Sequence, residues 1–214
     1  MSQFDTSRRR FVTAIAAGAA GALAGCLSNG RGAGEQAPGR PLAVPIKGDP
    51  DAAVTAAVYE DVGCPHCATY QTDVLPAVER EYLESGEVRY EFHDLIIPAD
   101  DRTPWEAASA ARSVQDRGDE SMFWAYLDGL FENQDDLGPE MYEAVAAELE
   151  LDGTAVREDA TEQAYDETVS HDTSEAEDAG VDGTPTVVID GSVVEWGDEI
   201  AFEPVAEAID EALQ

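Results

Sequence analysis

The sequence predicts an α/β fold in which a β-α-β unit and a β-β-α unit are separated by an all-helical insertion between the second and third core strand units. Three observations lead to this prediction. Apolar and β-branched runs at residues 53–60, 87–95 and 184–196 indicate strands. Helical periodicity fills the interval between the first two runs and returns over 103–179. The chain of 214 residues is long enough for one domain with a substantial core.

The first unit is predicted from its apolar spacing. The run "AVTAAVYE" at 53–60 is typical of a buried strand, and from residue 65 to about 85 apolar side chains step by four, as in a helix. Pro76 lies inside that helix and should kink it, because proline has no N–H for the carbonyl of Thr72. The alternating run "EVRYEFHDL" is the next strand. A strand, helix and strand in this order predict a right-handed parallel crossover.

The insertion, at about 99–179, and the second unit have clear start signals. Thr103 resembles a helix cap, with Pro104 at the first helical position. Further on, Asp190 and Gly191 separate two β-branched runs and predict a tight hairpin. A last helix should begin near Pro204. The predicted domain occupies residues 49–214.

The N-terminus predicts export. "TSRRRFVTAIAAGAAGALAGC" has a basic head, a short apolar core and small residues before a cut site, so residues 1–25 are predicted to be a signal peptide. Its "SRRRFV" order resembles a twin-arginine signal, and "LAGC" resembles a lipobox that would place lipid on Cys26. The alternative is a simple cleaved signal with Cys26 incidental. Residues 26–48, rich in Gly and Pro, are predicted to be a flexible tether. The predicted location is the outer face of the cytoplasmic membrane, lipid-anchored.

The charge indicates where the protein works. The formal net charge is −34, and Lys47 is the only lysine. So negative a surface repels nucleic acid and anionic lipid. We therefore predict no nucleic-acid partner, and contact with the membrane only through a lipid anchor at Cys26. Because the acidic residues are spread over the whole chain, we interpret them as an adaptation to molar salt, where charges are screened within ~3 Å. We therefore predict a halophilic source, of the haloarchaeal kind.

Cys64 and Cys67, in "YEDVGCPHCATYQ", are the predicted reactive pair. With Cys26 lipidated, only two cysteines remain, so a four-thiolate zinc site is excluded within one chain. Covalent haem needs a histidine after the second cysteine, where Ala68 stands. A structural disulfide closing so short a loop would stabilise little. We therefore predict no metal and no cofactor, only a redox-active disulfide; zinc bound with a distant histidine is the minor alternative.

The position of the pair predicts its chemistry. Cys64 stands where the strand meets the helix, so its sulfur faces the helix N-terminus, which favours a thiolate. Pro65 fixes the first turn, and His66 adds a donor or partial positive charge. Cys67 lies one turn on and more shielded. We expect Cys64 to be the nucleophile and Cys67 the resolving thiol. A lower thiol pKa stabilises the reduced form and makes the disulfide a stronger oxidant.

These motifs carry a resemblance to a known family. "CPHC" after a strand, a helical insertion, and "GTPT" before the returning strand resemble the DsbA-like branch of the thioredoxin superfamily, over residues 42–214. The resemblance implies a thioredoxin-like fold and disulfide exchange with exported cysteine-containing proteins, reset by a separate redox partner. It also implies that Pro185 follows a cis peptide bond, and that Thr184 offers backbone groups to the substrate.

The chain departs from the family pattern in one position that bears on mechanism. Many relatives have a buried acid six residues before the first cysteine, where this chain has Val58; Glu60 or Asp61 is the predicted substitute in a proton relay. Threonine before the proline is shared with isomerase relatives, so oxidase, isomerase and reductase directions all remain open. The alternatives are a redox-inactive thioredoxin-like binding lipoprotein and a thiol reductase that serves cytochrome or metalloprotein maturation.

Overall fold

A five-stranded mixed sheet lies at the centre of residues 41–97 and 101–214, the part of the chain that the computed structural model describes. The strands are β1 (Ile46–Gly48), β2 (Val54–Glu60), β3 (Val88–Asp94), β4 (Thr186–Ile189) and β5 (Ser192–Val193). They lie in the order β1-β3-β2-β4-β5. β2 and β3 are parallel, and the other neighbouring pairs are antiparallel. The predicted parallel crossover is therefore confirmed.

Helices occupy both intervals that the sequence assigns to them. They are α1 (Pro65–Thr69), α2 (Leu75–Val78), α3 (Arg102–Arg117), α4 (Glu120–Glu132), α5 (Pro139–Glu148), α6 (Gly153–Glu162), α7 (Asp166–Asp178) and α8 (Phe202–Ala212). A single 3-10 turn, Gln134–Asp136, follows α4. The insertion thus consists of α3 to α7, between β3 and β4, as predicted.

The helix after the redox motif accommodates Pro76 without a break. Two π-helical turns, Tyr70–Val74 and Glu79–Leu83, flank α2. Just before the proline, the N–H of Leu75 bonds to the carbonyl of Tyr70, five residues back. This wider turn is a usual way to absorb a disrupted hydrogen-bond ladder. The predicted disturbance at Pro76 therefore takes the form of a π turn.

β2 separates two packing layers, because successive side chains of a strand point to opposite faces. Val54, Ala56 and Val58 belong to the main core, which also contains Cys67 and the inner side of α8. Tyr59 points the other way and packs in a smaller cluster with Ala176 of α7. By this alternation Glu60 lies on the same face as Val58, the face of the redox helix.

A fully buried arginine ties the insertion to the sheet. Arg112 of α3 donates from Nε to Asp94 Oδ2 over 2.7 Å, and from Nη2 to Asp172 Oδ2 over 2.5 Å. Its side chain is 1 % exposed. Asp94 ends β3, and Asp172 lies in α7, so this one side chain connects three elements.

Two boundary predictions were wrong. The predicted tether at 26–48 overlaps β1, which pairs with β3; a three-residue strand is too short to show alternation in the sequence. The start of α3 is capped by Asp101, whose side chain accepts from the N–H of Thr103 over 3.1 Å, so Thr103 is the second helical residue and Pro104 the third. A carboxylate that reaches over the first turn is the better cap acceptor here.

The predicted hairpin is confirmed. Asp190 and Gly191 have φ values of 45° and 85°, as a two-residue turn with both central residues in the left-handed region requires. Asp190 also accepts a hydrogen bond from the N–H of Thr55 over 2.9 Å. The turn therefore connects β4 to β5 and anchors the sheet at the start of β2.

The predicted signal peptide, its twin-arginine motif and the lipidated Cys26 lie outside the described residues. Among the residues described, none of the helices combines the length and the apolar character needed to cross a bilayer.

Candidate active site

Cys64 is the residue that turns the chain from β2 into α1. Its backbone is extended, with φ −86° and ψ 120°, and Pro65 is the first helical residue. The Cys64 carbonyl accepts from the N–H groups of Cys67 over 3.0 Å and Ala68 over 3.2 Å. The sulfur therefore lies beside the first turn of the helix, where backbone N–H groups point outward. The predicted position at the strand–helix junction is confirmed.

The two sulfurs have very different access to solvent. Both cysteines are thiols in the structure; Cys64 is half-buried, whereas Cys67 is 0 % exposed. The Cys64 sulfur lies 3.5 Å from the carbonyl oxygen of Thr184, and the Cys67 sulfur accepts from the N–H of Asp61 over 3.5 Å. Only Cys64 is open to attack by another protein.

The environment favours the thiolate of Cys64. Its pKa is lowered to about 5, first by a hydrogen bond from the Cys67 thiol. Hydrogen bonds from the Thr184 side chain and from the backbone N–H groups of Cys67 and His66 add to this effect, and burial opposes it. Each of these donors stabilises the charged form of the sulfur. His66 acts here through its backbone, and its ring is exposed.

Cys67 is affected in the opposite direction. Burial raises the pKa of its thiol far above the ordinary range, and the hydrogen bond to Cys64 and the charge of Glu60 raise it further. A proton is therefore held firmly on Cys67 while Cys64 is ionised. Any reaction that releases Cys67 as a leaving group must supply it with a proton.

The loop before β4 lies across from the pair. The Thr184–Pro185 peptide bond is cis, as the family resemblance implies. Pro185 accepts a hydrogen bond at its carbonyl from the indole N–H of Trp196 over 2.9 Å. That indole contacts Tyr70 edge-on, with 5.8 Å between the ring centroids. Trp196 thus joins the proline loop to the redox helix.

A groove of about 570 Å³ opens beside Cys64. Its lining combines the proline loop, one side of the redox helix and the segment after β5. The lining residues are His66, Thr69, Asp73, Thr184, Pro185, Trp196, Gly197, Asp198, Glu199 and Ile200. An extended peptide segment that carries a cysteine fits such a surface.

Glu60 is a buried acid without a cation. It is 0 % exposed, and the Gln71 amide donates to its Oε2. Its Oε1 has no hydrogen-bond partner among residues 41–97 and 101–214. Burial raises the pKa of Glu60 to about 8, and the charges of Cys64 and Asp94 act in the same direction. Glu60 is therefore a carboxylic acid that holds its proton near neutral pH, close to the redox pair.

Asp61 differs from its neighbour. Its side chain accepts from the N–H of Gly63 over 2.7 Å, a contact that shapes the loop before Cys64. Burial raises the pKa of Asp61 to about 6, although hydrogen bonds from Gly63 and Ile97 lower it. Its own backbone N–H is the group that contacts the Cys67 sulfur. Asp61 thus shapes the loop, and Glu60 has the higher pKa of the two acids.

Three contacts of the site were not predicted. Gln71 holds Glu60, Trp196 holds Pro185, and Gln134 donates to the carbonyls of Val62 over 2.6 Å and Cys64 over 2.9 Å. Gln71 lies four residues after Cys67, so its place on the same face of the helix could have been predicted from the spacing. Gln134 comes from the insertion, and no local pattern reveals it.

Comparisons with known proteins agree with this geometry. The family model described as Thioredoxin matches residues 43–211. Disulfide bond formation protein D of Bacillus subtilis is 22 % identical over 79 % of this chain and 77 % of its own. A probable disulfide bond formation protein D of Bacillus cereus is 28 % identical over 78 % of this chain and 77 % of its own.

Among solved structures, oxidised BdbD from Bacillus subtilis superposes with a TM-score of 0.73 and 22 % identity. The superposition covers 79 % of this chain and 92 % of that one. The fold of the two proteins is therefore shared, including the helical insertion into a thioredoxin-like sheet.

Proposed function

This chain belongs to the thioredoxin family and is a thiol–disulfide oxidoreductase, and on that premise we propose that it oxidises cysteine pairs in exported proteins. The observation that carries the proposal is the contrast between the two sulfurs: Cys64 is half-exposed and acidic, and Cys67 is buried and holds its proton. Such a contrast suits a pair in which one sulfur meets the substrate and the other resolves the intermediate.

The proposed reaction begins with the Cys64–Cys67 disulfide. A substrate thiolate attacks the Cys64 sulfur, a mixed disulfide forms, and Cys67 leaves with the electron pair of the broken bond. A second substrate thiolate then attacks the substrate sulfur of the mixed disulfide and releases Cys64 as a thiolate. The substrate dithiol has lost two electrons, and the pair has gained them.

We assign the proton that Cys67 needs to Glu60. Glu60 stands two residues after Val58, the position of the buried acid in many relatives, and on the same face of β2. It therefore lies on the face of the sheet that the redox helix covers, at the end of β2 that leads to Cys64. With a pKa of about 8 it is protonated at neutral pH, and Gln71 fixes its orientation. Asp61, Pro65 and His66 shape the loop and the first turn around this exchange.

The low pKa of Cys64 favours oxidation of the substrate. A shift from the ordinary value of 9.0 to about 5 stabilises the reduced pair up to about a hundredfold at neutral pH. For a two-electron couple this raises the reduction potential by at most about 60 mV, less where solvent screens the half-exposed sulfur. The direction we propose is therefore oxidase rather than reductase.

Substrate binding is proposed for the groove beside Cys64. The Thr184 carbonyl, 3.5 Å from the Cys64 sulfur, is placed to bond an extended substrate backbone. Trp196 and Pro185 supply an apolar floor, and no bound cofactor is needed for the exchange. The "TSRRRF" and "LAGC" motifs support export and a lipid anchor at Cys26, so we place the reaction at the outer face of the membrane, with a separate redox partner that restores the disulfide.

Oxidation of a reduced, unfolded protein with several cysteines tests this function. The oxidised wild type should lose its disulfide as one substrate disulfide forms, in molar KCl. Cys64→Ser should abolish exchange, and Cys26→Ser should behave as the wild type. Cys67→Ser should accumulate a mixed disulfide when it is given a substrate that already contains a disulfide, because its Cys64 thiolate attacks that bond and no second thiol of the protein resolves the product. Exchange that survives in Cys64→Ser would contradict the proposal. Equilibration with glutathione then fixes the direction, since a strongly negative potential would indicate a reductase.

A further inference from the structure

His93 forms a second polar cluster on the other face of the sheet. It pairs in register with Tyr59, whose side chain points away from Glu60 and the redox helix, and the two rings stack with centroids 4.9 Å apart. His93 is 6 % exposed, yet neither ring nitrogen has a hydrogen-bond partner among residues 41–97 and 101–214. The nearest charged oxygen to Nε2 is that of Glu91, at 3.8 Å, longer than a hydrogen bond.

Two orphaned nitrogens on one buried ring need an explanation. Buried polar atoms in proteins are almost always bonded, because an unsatisfied group costs about 1–3 kcal/mol. A neutral imidazole always has one nitrogen that accepts, and that nitrogen is the commonest protein ligand for metal ions. A buried imidazole with neither nitrogen bonded is therefore a candidate metal ligand.

Helix α7 brings two carboxylates to this ring. Asp172 and Glu175 are three residues apart and share one side of the helix. One ligand atom from each of His93, Asp172 and Glu175 lies within 4.8 Å of the others. Asp172 uses Oδ2 to accept from Arg112 and from the N–H of Asp94, which leaves Oδ1 for a further bond. Glu175 is 50 % exposed at its side chain, and the exposed His171 lies 3.8 Å from its Oε1.

The charges around the cluster fit a dication. Four carboxylates lie near His93, and two guanidinium groups compensate two of them, so two negative charges remain. The acids are Glu91, Asp94, Asp172 and Glu175, and the bases are Arg89 and Arg112. A divalent cation would neutralise the surplus.

We propose that His93, Asp172 and Glu175 bind a divalent transition-metal ion of the zinc type, with water in the remaining position. One imidazole and two carboxylates form a three-ligand set that zinc accepts, at bonds of about 2.0–2.2 Å. A tetrahedral site needs ligand atoms about 3.4 Å apart, so the three groups, now within 4.8 Å of one another, would move closer together on binding. The ion would link the end of the insertion to β3. The sequence predicts no metal, and the minor alternative was zinc bound by Cys64 and Cys67 with a distant histidine.

Titration with Zn²⁺ and Co²⁺ tests this site. The protein carries Cys26→Ser, Cys64→Ser and Cys67→Ser, so that no thiolate competes, and molar KCl suppresses diffuse binding to the acidic surface. Calorimetry should show one site per chain. Glu175→Gln should weaken it at least tenfold, whereas Glu177→Gln, which removes an exposed acid of the same helix, should leave it unchanged.

The histidine ligand has its own pair of variants. His93→Ala should abolish the site and remove the Co²⁺ absorption of a nitrogen-containing tetrahedral centre, while His66→Ala, which removes an exposed histidine of α1, should keep both. If His93→Ala does not fold, the glutamate pair decides the question alone. Equal binding by Glu175→Gln and Glu177→Gln, or only weak binding with many sites, would overturn the proposal.

Discussion

Two buried carboxylates at the ends of neighbouring strands have opposite environments. Glu60 ends β2, Asp94 ends β3, and the two are paired in the parallel register. Both are almost completely buried. Asp94 bonds to the guanidinium of Arg112, whereas the one side-chain partner of Glu60 in the described part of the chain is the neutral amide of Gln71. Burial raises the pKa of both acids, and the cationic partner opposes that effect only at Asp94.

The comparison also separates stability from chemistry. The Asp94–Arg112–Asp172 cluster holds the insertion on the sheet. Burial raises the pKa of both carboxyls, and the Arg112 guanidinium between them opposes that effect. Glu60 has no counter-charge among the residues that the structure describes, so its burial favours the neutral form, the form that we propose gives a proton to Cys67. We expect substitutions in the two places to change different observables.

Arg112→Leu should have the largest effect. It leaves Asp94 and Asp172 buried without a cation, and breaking such a pair costs about 3–5 kcal/mol of unfolding free energy. Denaturant unfolding of the oxidised protein in molar KCl measures this loss. Arg117→Leu is the matched control, because that arginine bonds to Asp159 with 39 % of its side chain exposed. Equal losses in the two variants would show that the buried cluster is not the anchor of the insertion.

Glu60→Gln should change the pH dependence of stability next. The folded protein holds the Glu60 proton up to about pH 8, whereas the unfolded chain releases it near ~4.3. The contribution of the neutral acid to the free energy of unfolding is therefore complete below pH ~4.3 and is lost as the pH rises through about 8. Over this window we expect the reduced wild type to lose on the order of 5 kcal/mol relative to Glu60→Gln. Parallel stability curves for the two proteins would mean that Glu60 titrates normally.

The same substitution should slow exchange by about tenfold near neutral pH, because a neutral amide cannot protonate the leaving Cys67. Single-turnover oxidation of a model dithiol peptide, followed from pH 5 to 9, measures this step. Asp61→Asn serves as the comparison, since its carboxylate mainly shapes the loop. A larger loss of rate in Asp61→Asn than in Glu60→Gln would assign the proton relay to Asp61.

His66→Ala should have the smallest effect, within about threefold of the wild-type equilibrium with glutathione, which for this couple is less than about 15 mV. The reason is that His66 acts on the Cys64 sulfur through its backbone N–H, which alanine retains. A change of tenfold or more would assign the effect to the imidazole ring instead.

Much of this site could be predicted because its signals are local. The strand before Cys64, the proline after it and the turn at Asp190 and Gly191 each depend on a few adjacent residues. The Arg112 cluster, the Gln134 contact and the unsatisfied His93 join residues far apart in the chain, so no periodicity reveals them. The sequence shows that Val58 is not an acid, but it does not distinguish Glu60 from Asp61. That choice depends on the structure, in which Glu60 is completely buried and Asp61 accepts a hydrogen bond from the backbone of its own loop.

The acidity of Cys64 is the property on which the whole account depends. The most direct measurement is the rate of alkylation of Cys64 in the reduced protein as a function of pH, with Cys26 replaced by serine so that only one exposed thiol reacts. We predict a midpoint at about pH 5. A midpoint near 9, where an ordinary thiol titrates, would contradict the account.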